Sequence, residues 1–549
     1  MKVLLLDYLS SLRERAELDA VFPDLLAEHG FEVFSRPGRG GAQRGVDVAA
    51  TLVQGAQRVV YLFTIKPGDL TRSEWAGSTQ AVRQSLEEIV EVYIPNRLPD
   101  QYREDKVVVC VVIGGAMSET AREHFTAFCR KNRSNRIEFE EWNGERLASM
   151  LMSGNHGESV IVKKLRSPLQ KSIAMVGFPE TSERHFQELA GIIRAGAVDD
   201  ASAVRASLQL SVSAWMVYAW CRQAGNMESA LRACEVTLVS LWSLHRRAES
   251  AANQRKMRSA FTTAVEMYLQ VFNTFFEDRI RPIMGSADWL TRAVGSRSSV
   301  DVSLIGTRLL SRIAMAGLWC RWLEVEGRSA EGARDAKGYL ADALSVWDMN
   351  RALSLPVSDS QAGSLGCILL LSAEVKEPNP RLIEMVDDLI NRFCFAVATR
   401  SRYPVVFDSY SDLVMHPKGK DDRYFEKAMS ASSIIPLIAM FCSARGLNTQ
   451  LEQLSEAIDR YCPKLSLQLW TPDVLSDERL LVGQRGHGKA ILLERANGLT
   501  DIPRQVAAAL QNDSDFTKLS FISGSVHPLL ALCCCRAGLP LPPQLLSAL

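Results

Sequence analysis

The stretch RGVDVAATLVQGAQRVVYLFTIK, residues 44–66, decides the fold. Two apolar runs, 45–53 and 58–66, flank Gln54-Gly55-Ala56-Gln57, the pattern of two antiparallel strands joined by a turn. In the second run Val60, Leu62, Thr64 and Lys66 share one face, and Val59, Tyr61, Phe63 and Ile65 share the other. A turn centred near Ala56–Gln57 sets Asp47 almost opposite Lys66, and opposed residues of an antiparallel pair point to the same face. A carboxylate and an ammonium then meet at two strand ends. A slip of one residue would part them.

Working outward, residues 16–29 (AELDAVFPDLLAEH) place Leu18, Phe22, Leu25 and Leu26 on one helical face, with Gly30 as the stop and Pro23 as a point of kinking or restart. Phe31 to Phe34 alternates as a short strand, and a Gly/Arg-rich loop runs from Ser35 to Arg44. Downstream, 75–93 reads as a helix. The run 107–113 (VVVCVVI) is apolar at every position, as in a strand covered on both faces. Thr120 with Glu123 forms a capping-box pattern at a helix start. Ile137 to Trp142 reads as the last strand, and Glu145 to Met152 as a closing helix. The order α-β-β-β-α-β-α-β-α predicts a three-layer α/β domain over residues 1–155.

The polar stretch Ser153 to Ser172 predicts a linker, set at 156–180. Residues 181–549 read as an all-α helical array of one or two subdomains, with three-and-four apolar spacing over 200–224, 226–247, 257–277, 302–326 and 334–353. Residues 436–447 (PLIAMFCSARGL) echo 528–539 (PLLALCCCRAGL), either as a repeated helical unit or as two buried helices sharing start and stop signals.

Lys+Arg and Asp+Glu number 63 each, which argues against a uniformly basic nucleic-acid coat but leaves room for a local basic cleft. The 12 cysteines are scattered on apolar stretches without paired CxxC spacing, so reduced core thiols are expected rather than zinc ligands. Charges at Asp7, Arg13, Glu14 and Arg15 interrupt the apolar start, and no apolar run approaches the ~20 residues of a membrane span. A soluble, cytoplasmic chain without a membrane partner is the expectation.

The helix ending Leu25-Leu26-Ala27-Glu28-His29-Gly30-Phe31, then Arg44-Gly45-Val46-Asp47, then Thr64-Ile65-Lys66, and the closing Glu140-Glu141-Trp142-Asn143-Gly144-Glu145-Arg146-Leu147 together resemble the PD-(D/E)XK nuclease superfamily, and within it the Mrr-like restriction endonucleases. The resemblance covers about a quarter of the chain and rests on order and spacing. It implies a restriction-endonuclease-like fold and metal-assisted hydrolysis of phosphodiester bonds in DNA, with RNA as the other substrate class. Asp47 and the Ile65 backbone carbonyl would ligate Mg²⁺ or Mn²⁺, and Lys66 would orient the attacking water. Thr64 stands where the family carries Glu, Asp or Gln. A hydroxyl is a poorer metal ligand than a carboxylate, so an additional acid is sought at Asp19 or Glu17 on the first helix, or at Asp69 or Glu74 beyond Lys66. Arg36, Arg39, Arg44, Arg58 and Arg72 lie around the hairpin in sequence, either as a basic rim for a phosphate backbone or as solvated loop arginines. By analogy the context is prokaryotic restriction or anti-phage defence. The helical region then serves as sensor, protein-partner site or homo-oligomer interface. The competing reading is a degenerate nuclease-like domain acting as a non-catalytic scaffold.

Gly483-Gln484-Arg485-Gly486-His487-Gly488-Lys489-Ala490 nearly matches a phosphate-binding loop, but Ala490 replaces the hydroxyl that would hold Mg²⁺, and helical sequence follows. It reads as a flexible Gly-rich loop, with an ATP-gated effector as the alternative. The eight His show no HExxH spacing, and Trp215, Trp220, Trp242, Trp319 and Trp322 read as helix packing.

Overall fold

The computed structural model describes residues 6, 9–10, 18–36, 44–55, 57–77, 81–153, 163–296, 298–329, 334–376, 379–416, 421–482, 488–511 and 513–546. Its N-terminal part runs α1 (Asp19–Glu28), β1 (Glu32–Ser35), β2 (Val48–Gln54), β3 (Gln57–Lys66), α2 (Arg72–Ala76), α3 (Val82–Glu88), β4 (Lys106–Ile113), α4 (Glu119–Asn132), β5 (Ile137–Trp142) and α5 (Gly144–Ser153). The five strands form one mixed sheet in chain order. β1–β2 and β2–β3 pair antiparallel, whereas β3–β4 and β4–β5 pair parallel across helical crossovers. β3 is therefore central.

Both faces of the sheet are covered. On one, Val60, Leu62, Val107, Val109, Val111 and Ile113 pack with Trp75, Leu86, Ile89 and Phe125 from the crossover helices. On the other, Phe22 of α1 meets Phe63 edge-on at 4.9 Å, and Phe63 meets Trp142 at 5.1 Å. Such aromatic pairs contribute about 0.5–1.5 kcal/mol each beyond their burial. His29 Nε2 donates to the Met150 carbonyl at 2.9 Å, holding α5 beside α1. Double coverage explains the unbroken apolar run of β4.

Several boundaries depart from expectation. The helix expected over 75–93 is divided: a short helix opened by the capping box of Thr71 and Glu74 ends at Gly77, and a second begins at Val82. The cap of α4 is Ser118, whose hydroxyl accepts from Ala121 N, rather than Thr120. The expected linker carries the helix Lys163–Ala174, followed by Pro179–Ala195. Leu165, Leu169 and Ile173 recur every four residues and are buried. Ser172 and Ser182 exchange hydrogen bonds with each other's carbonyls at 3.0 and 2.8 Å. Serine read as linker composition is helix-pairing chemistry here.

Two compact units divide the chain: Met1–Thr237 with Arg247–Ala260, and Leu238–Arg246 with Phe261–Leu549. The expected helices appear as Asp200–Ala224, Glu228–His245, Ala251–Phe275, Ser299–Val325 and Ala336–Asp348. The C-terminal region is largely helical but not all-α. β6 (Ala431–Ser432), β7 (Ser466–Pro472) and β8 (Gly488–Leu493) form a three-stranded sheet, in which β7 buries Leu467, Leu469 and Thr471 by alternation. The two echoing segments are helices that stop alike. Gly446 and Gly538 have φ of 67° and 66°, and the next leucines donate to Cys442 O and Cys534 O at 2.8 and 2.9 Å. That is the Schellman stop. Trp242, Trp319 and Trp322 are buried, and Trp215 and Trp220 are half-buried. Among the described residues no helix is long and apolar enough to cross a membrane.

Candidate active site

The β2–β3 register runs from Gln54↔Gln57 to Val48↔Phe63. The turn therefore falls between Gln54 and Gln57, its centre one residue before the expected one. Gly55 has φ 64°, the positive value that tight hairpin turns demand at their first position. The ladder ends at Val48↔Phe63, and Asp47, whose N also donates to Phe63 O, lies just beyond it. The hairpin register is thus two residues away from the one that would set Asp47 opposite Lys66. Thr64 and Lys66 share one face of β3, whereas Asp47 lies before β2, where strict alternation has lapsed: Val46 and Ala49, three residues apart, pack in the same core.

Asp47 lies just before β2 and makes the hydrogen bonds that close its end. Its backbone N donates to Phe63 O at 2.8 Å, and its Oδ2 accepts from Ile65 N at 2.7 Å. The carboxylate takes the place of the next ladder carbonyl, through a charge-assisted bond stronger than a neutral one. In an extended strand the N–H and C=O of one residue lie along the same edge, so the Ile65 carbonyl is also directed to the Asp47 side. Thr64 is 1% exposed, and Lys66 is half-buried at the strand end.

The turn entering this site is held from outside. Arg44 and Gly45 have φ of 50° and 80°. A Cβ on Gly45 would fall 2.1 Å from Ser85 O, so only glycine lets the backbone before Asp47 rest on α3.

The nearby acids are engaged elsewhere. Asp69 Oδ1 accepts from Ala116 N at 2.7 Å, and Glu74 Oε2 accepts from Thr71 N at 2.8 Å. Asp19 begins α1, which packs on the sheet face opposite Thr64, and Glu17 lies outside the described residues. Sequence reasoning did not single out Glu141, which shares the row Thr64–Val111–Glu141 across β3, β4 and β5. It lies two strand spacings, about 10 Å, from Thr64. Arg122 binds it bidentately at 2.5 and 3.1 Å. Its row position was recoverable from the alternation in 137–142; its arginine partner, on another helix, was not.

The five arginines do not gather as a set. Arg58 stands at the opposite end of β3, about 26 Å from Lys66. There it pairs with Asp105 at 2.7 Å and donates to Gln101 O at 2.6 Å. Arg36 and Arg166 both bind Asp24, at 2.9 and 2.8 Å. Burial pulls the Asp24 carboxyl upward, but the hydrogen bonds and charges of the two arginines outweigh it and leave it below its ordinary value. Arg44 and Arg72 are exposed on the segments flanking Asp47 and Lys66, and Arg39 lies outside the described residues.

Among the described residues no three His, Cys, Asp or Glu side chains group as a metal site. The two candidate donors, the Asp47 carboxylate and the Ile65 backbone carbonyl, are hard oxygens. They suit Mg²⁺ or Mn²⁺, ions bound through one or two carboxylates with water completing the shell. The phosphate-loop-like segment offers no comparable arrangement in its described part, since Lys489 lies on β8 and pairs with Asp515 at 2.9 Å. Residues 483–487 of that segment lie outside the described residues. No protein family, curated protein or solved structure matches the chain.

Proposed function

We propose that the N-terminal sheet domain is a restriction-endonuclease-like, Mg²⁺-dependent nuclease acting on DNA, with its active site at the ends of β2 and β3. The observation that carries this reading is the Asp47 carboxylate anchored on Ile65 N at 2.7 Å, one residue before Lys66 on the central strand. The element order of the sheet domain, a helix and then β-β-β-α-β, supports this reading. Asp47 and the Ile65 carbonyl would hold the metal. When bound, Mg²⁺ supplies Lewis-acid activation of water and neutralises charge at the phosphate. The Ile65 N–H fixes one carboxylate oxygen of Asp47 and so orients the other. Lys66 offers an ammonium that positions the attacking water and stabilises the charge growing on the phosphate oxygens. The helical region serves as sensor, partner site or assembly surface in restriction or anti-phage defence.

The burial of Thr64 favours a second reading. A hydroxyl 1% exposed at the position of the usual acid leaves fewer charged ligands, as in a degenerate domain that binds nucleic acid or protein without cutting it. A plasmid-nicking assay with Mg²⁺ or Mn²⁺ separates the two. The nuclease reading expects cutting by the wild type and a loss of at least about 100-fold in Asp47→Ala and in Lys66→Ala. Equal residual cutting by all three proteins removes the assigned site.

A further inference from the structure

The helix Ala362–Val375 carries glycines on the side that meets the chain's C-terminal segment. A Cβ on Gly363 would fall 2.3 Å from Leu539 O and 3.8 Å from Cys535 Sγ, and one on Gly366 would fall 2.9 Å from the Leu541 side chain. This close approach brings Cys367 of that helix to Cys535 of the helix His527–Ala537, with the two sulfurs 3.3 Å apart. Cys367 is fully buried, with Met315 Sδ 3.9 Å away, and Cys535 is half-buried. A disulfide has its sulfurs about 2.05 Å apart, so roughly 1.3 Å of approach separates the reduced pair from a bond.

We propose that Cys367 and Cys535 form a reversible disulfide under peroxide, locking the C-terminal segment onto the helix Ala362–Val375. Cys535, the more accessible thiol, reacts first: one peroxide oxygen transfers to its sulfur, giving a sulfenic acid and one water. The Cys367 sulfur then attacks that sulfur. An S–S bond forms, the S–O bond breaks, and hydroxide leaves with the Cys367 proton as a second water. Two thiols and one peroxide thus become one disulfide and two waters. The hydrogen shared with Cys535, and then burial, hold the Cys367 thiol well above its ordinary range, in keeping with a resolving rather than a first-reacting role. The neighbouring Cys534 thiol is fully buried and likewise held well up, which turns the first attack away from it.

Peptide mapping of the full chain tests this. The protein is treated with an equimolar pulse of hydrogen peroxide, alkylated in denaturant and digested with trypsin without reduction. The expected product is a linked pair of peptides, 352–376 joined to 519–536, with two of the 12 cysteines lost to alkylation and recovered by dithiothreitol. The second peptide also holds Cys533 and Cys534. The link is therefore expected to persist in Cys533→Ser and Cys534→Ser and to vanish in Cys535→Ser. A wild-type map in which Cys535 reaches sulfinic acid while Cys367 is still alkylated overturns the proposal, as does a link assigned to Cys533 or Cys534 by fragmentation. The wild-type map decides alone, whatever the folding of the variants.

Discussion

Lys66 and Lys489 both stand on strands of antiparallel pairs, and their surroundings make them different residues. Lys66 ends the central strand of a five-stranded sheet, half-buried, with the Asp47 carboxylate anchored one residue away. Lys489 lies exposed on the edge strand of a three-stranded sheet and is paired with Asp515 at 2.9 Å. Each belongs to a short motif that reads in sequence as phosphate chemistry. The difference lies in sheet position: a central strand end collects groups from its neighbours, whereas an edge strand leaves a lysine to the nearest carboxylate. The same contrast extends to the polar groups of the two regions. In the C-terminal unit Asp342 is closed by Arg281 and Arg334, and Asp477 by Arg246 and Ser520. Asp359 takes the N–H groups of Ser433 and Ile434 at a helix start. These carboxylates hold structure together.

The largest effect should separate the two lysines directly. Lys66→Ala is expected to lower plasmid nicking by at least about 100-fold, whereas Lys489→Ala leaves the rate unchanged. A fall in both would move the chemistry away from β3. Next comes the glycine that seats the site. Gly45→Ala combines a φ of 80° with a Cβ 2.1 Å from Ser85 O, and should cost about 2–4 kcal/mol in thermal or denaturant unfolding. Gly446→Ala is the matching change in the helical region, with a φ of 67° and open space around its Cβ, and should cost about 1 kcal/mol. Equal losses would show that the contact with α3 adds nothing to backbone strain.

A smaller effect is expected at His416, whose imidazole burial, and then the charge of Arg402, hold down to about 4. An unfolded histidine titrates near 6.5, so between pH 6.5 and about 4 the unfolded chain carries the extra proton. This contribution is complete above pH 6.5 and is lost as pH falls toward 4. His416→Gln should flatten that part of the melting-temperature profile while leaving any nicking profile unmoved. Superimposable melting profiles for wild type and variant would contradict the assignment. The smallest effect is that of Lys489→Ala on melting temperature, expected to lie within error because exposed ion pairs contribute little.

Much of the sheet domain was legible because its strands carry strong local patterns. The alternation of 58–66 and the unbroken run of 107–113 state which faces are covered, and both depend only on neighbouring residues. The register was less legible by two residues, since it depends on which residue of Gln54–Gln57 takes positive φ, and Gly55 does. The helix Lys163–Ala174 was hidden by its Ser and Lys content, although Leu165, Leu169 and Ile173 keep helical spacing. β6, with two residues, offers too little pattern to read. At the candidate site, Thr64 and Lys66 could be placed on one face from period two alone, but Asp47 could not, since it precedes β2. The bond from Ile65 N to Asp47 could not, because it exists only where β2 stops. Arg58 looked like part of a basic rim until its partner proved to be Asp105, 47 positions away, a distance that local pattern does not span.

The central claim is that the Asp47 carboxylate is the metal ligand of a site at the strand ends, and Asp47→Asn tests it most directly. The asparagine carbonyl can still accept from Ile65 N, so the hairpin end keeps its bond while the charge is removed. Titration of Mn²⁺ followed by electron paramagnetic resonance should show an ion bound by the wild type and lost in Asp47→Asn, with unchanged melting temperature. Equal Mn²⁺ binding by the two proteins would contradict the account.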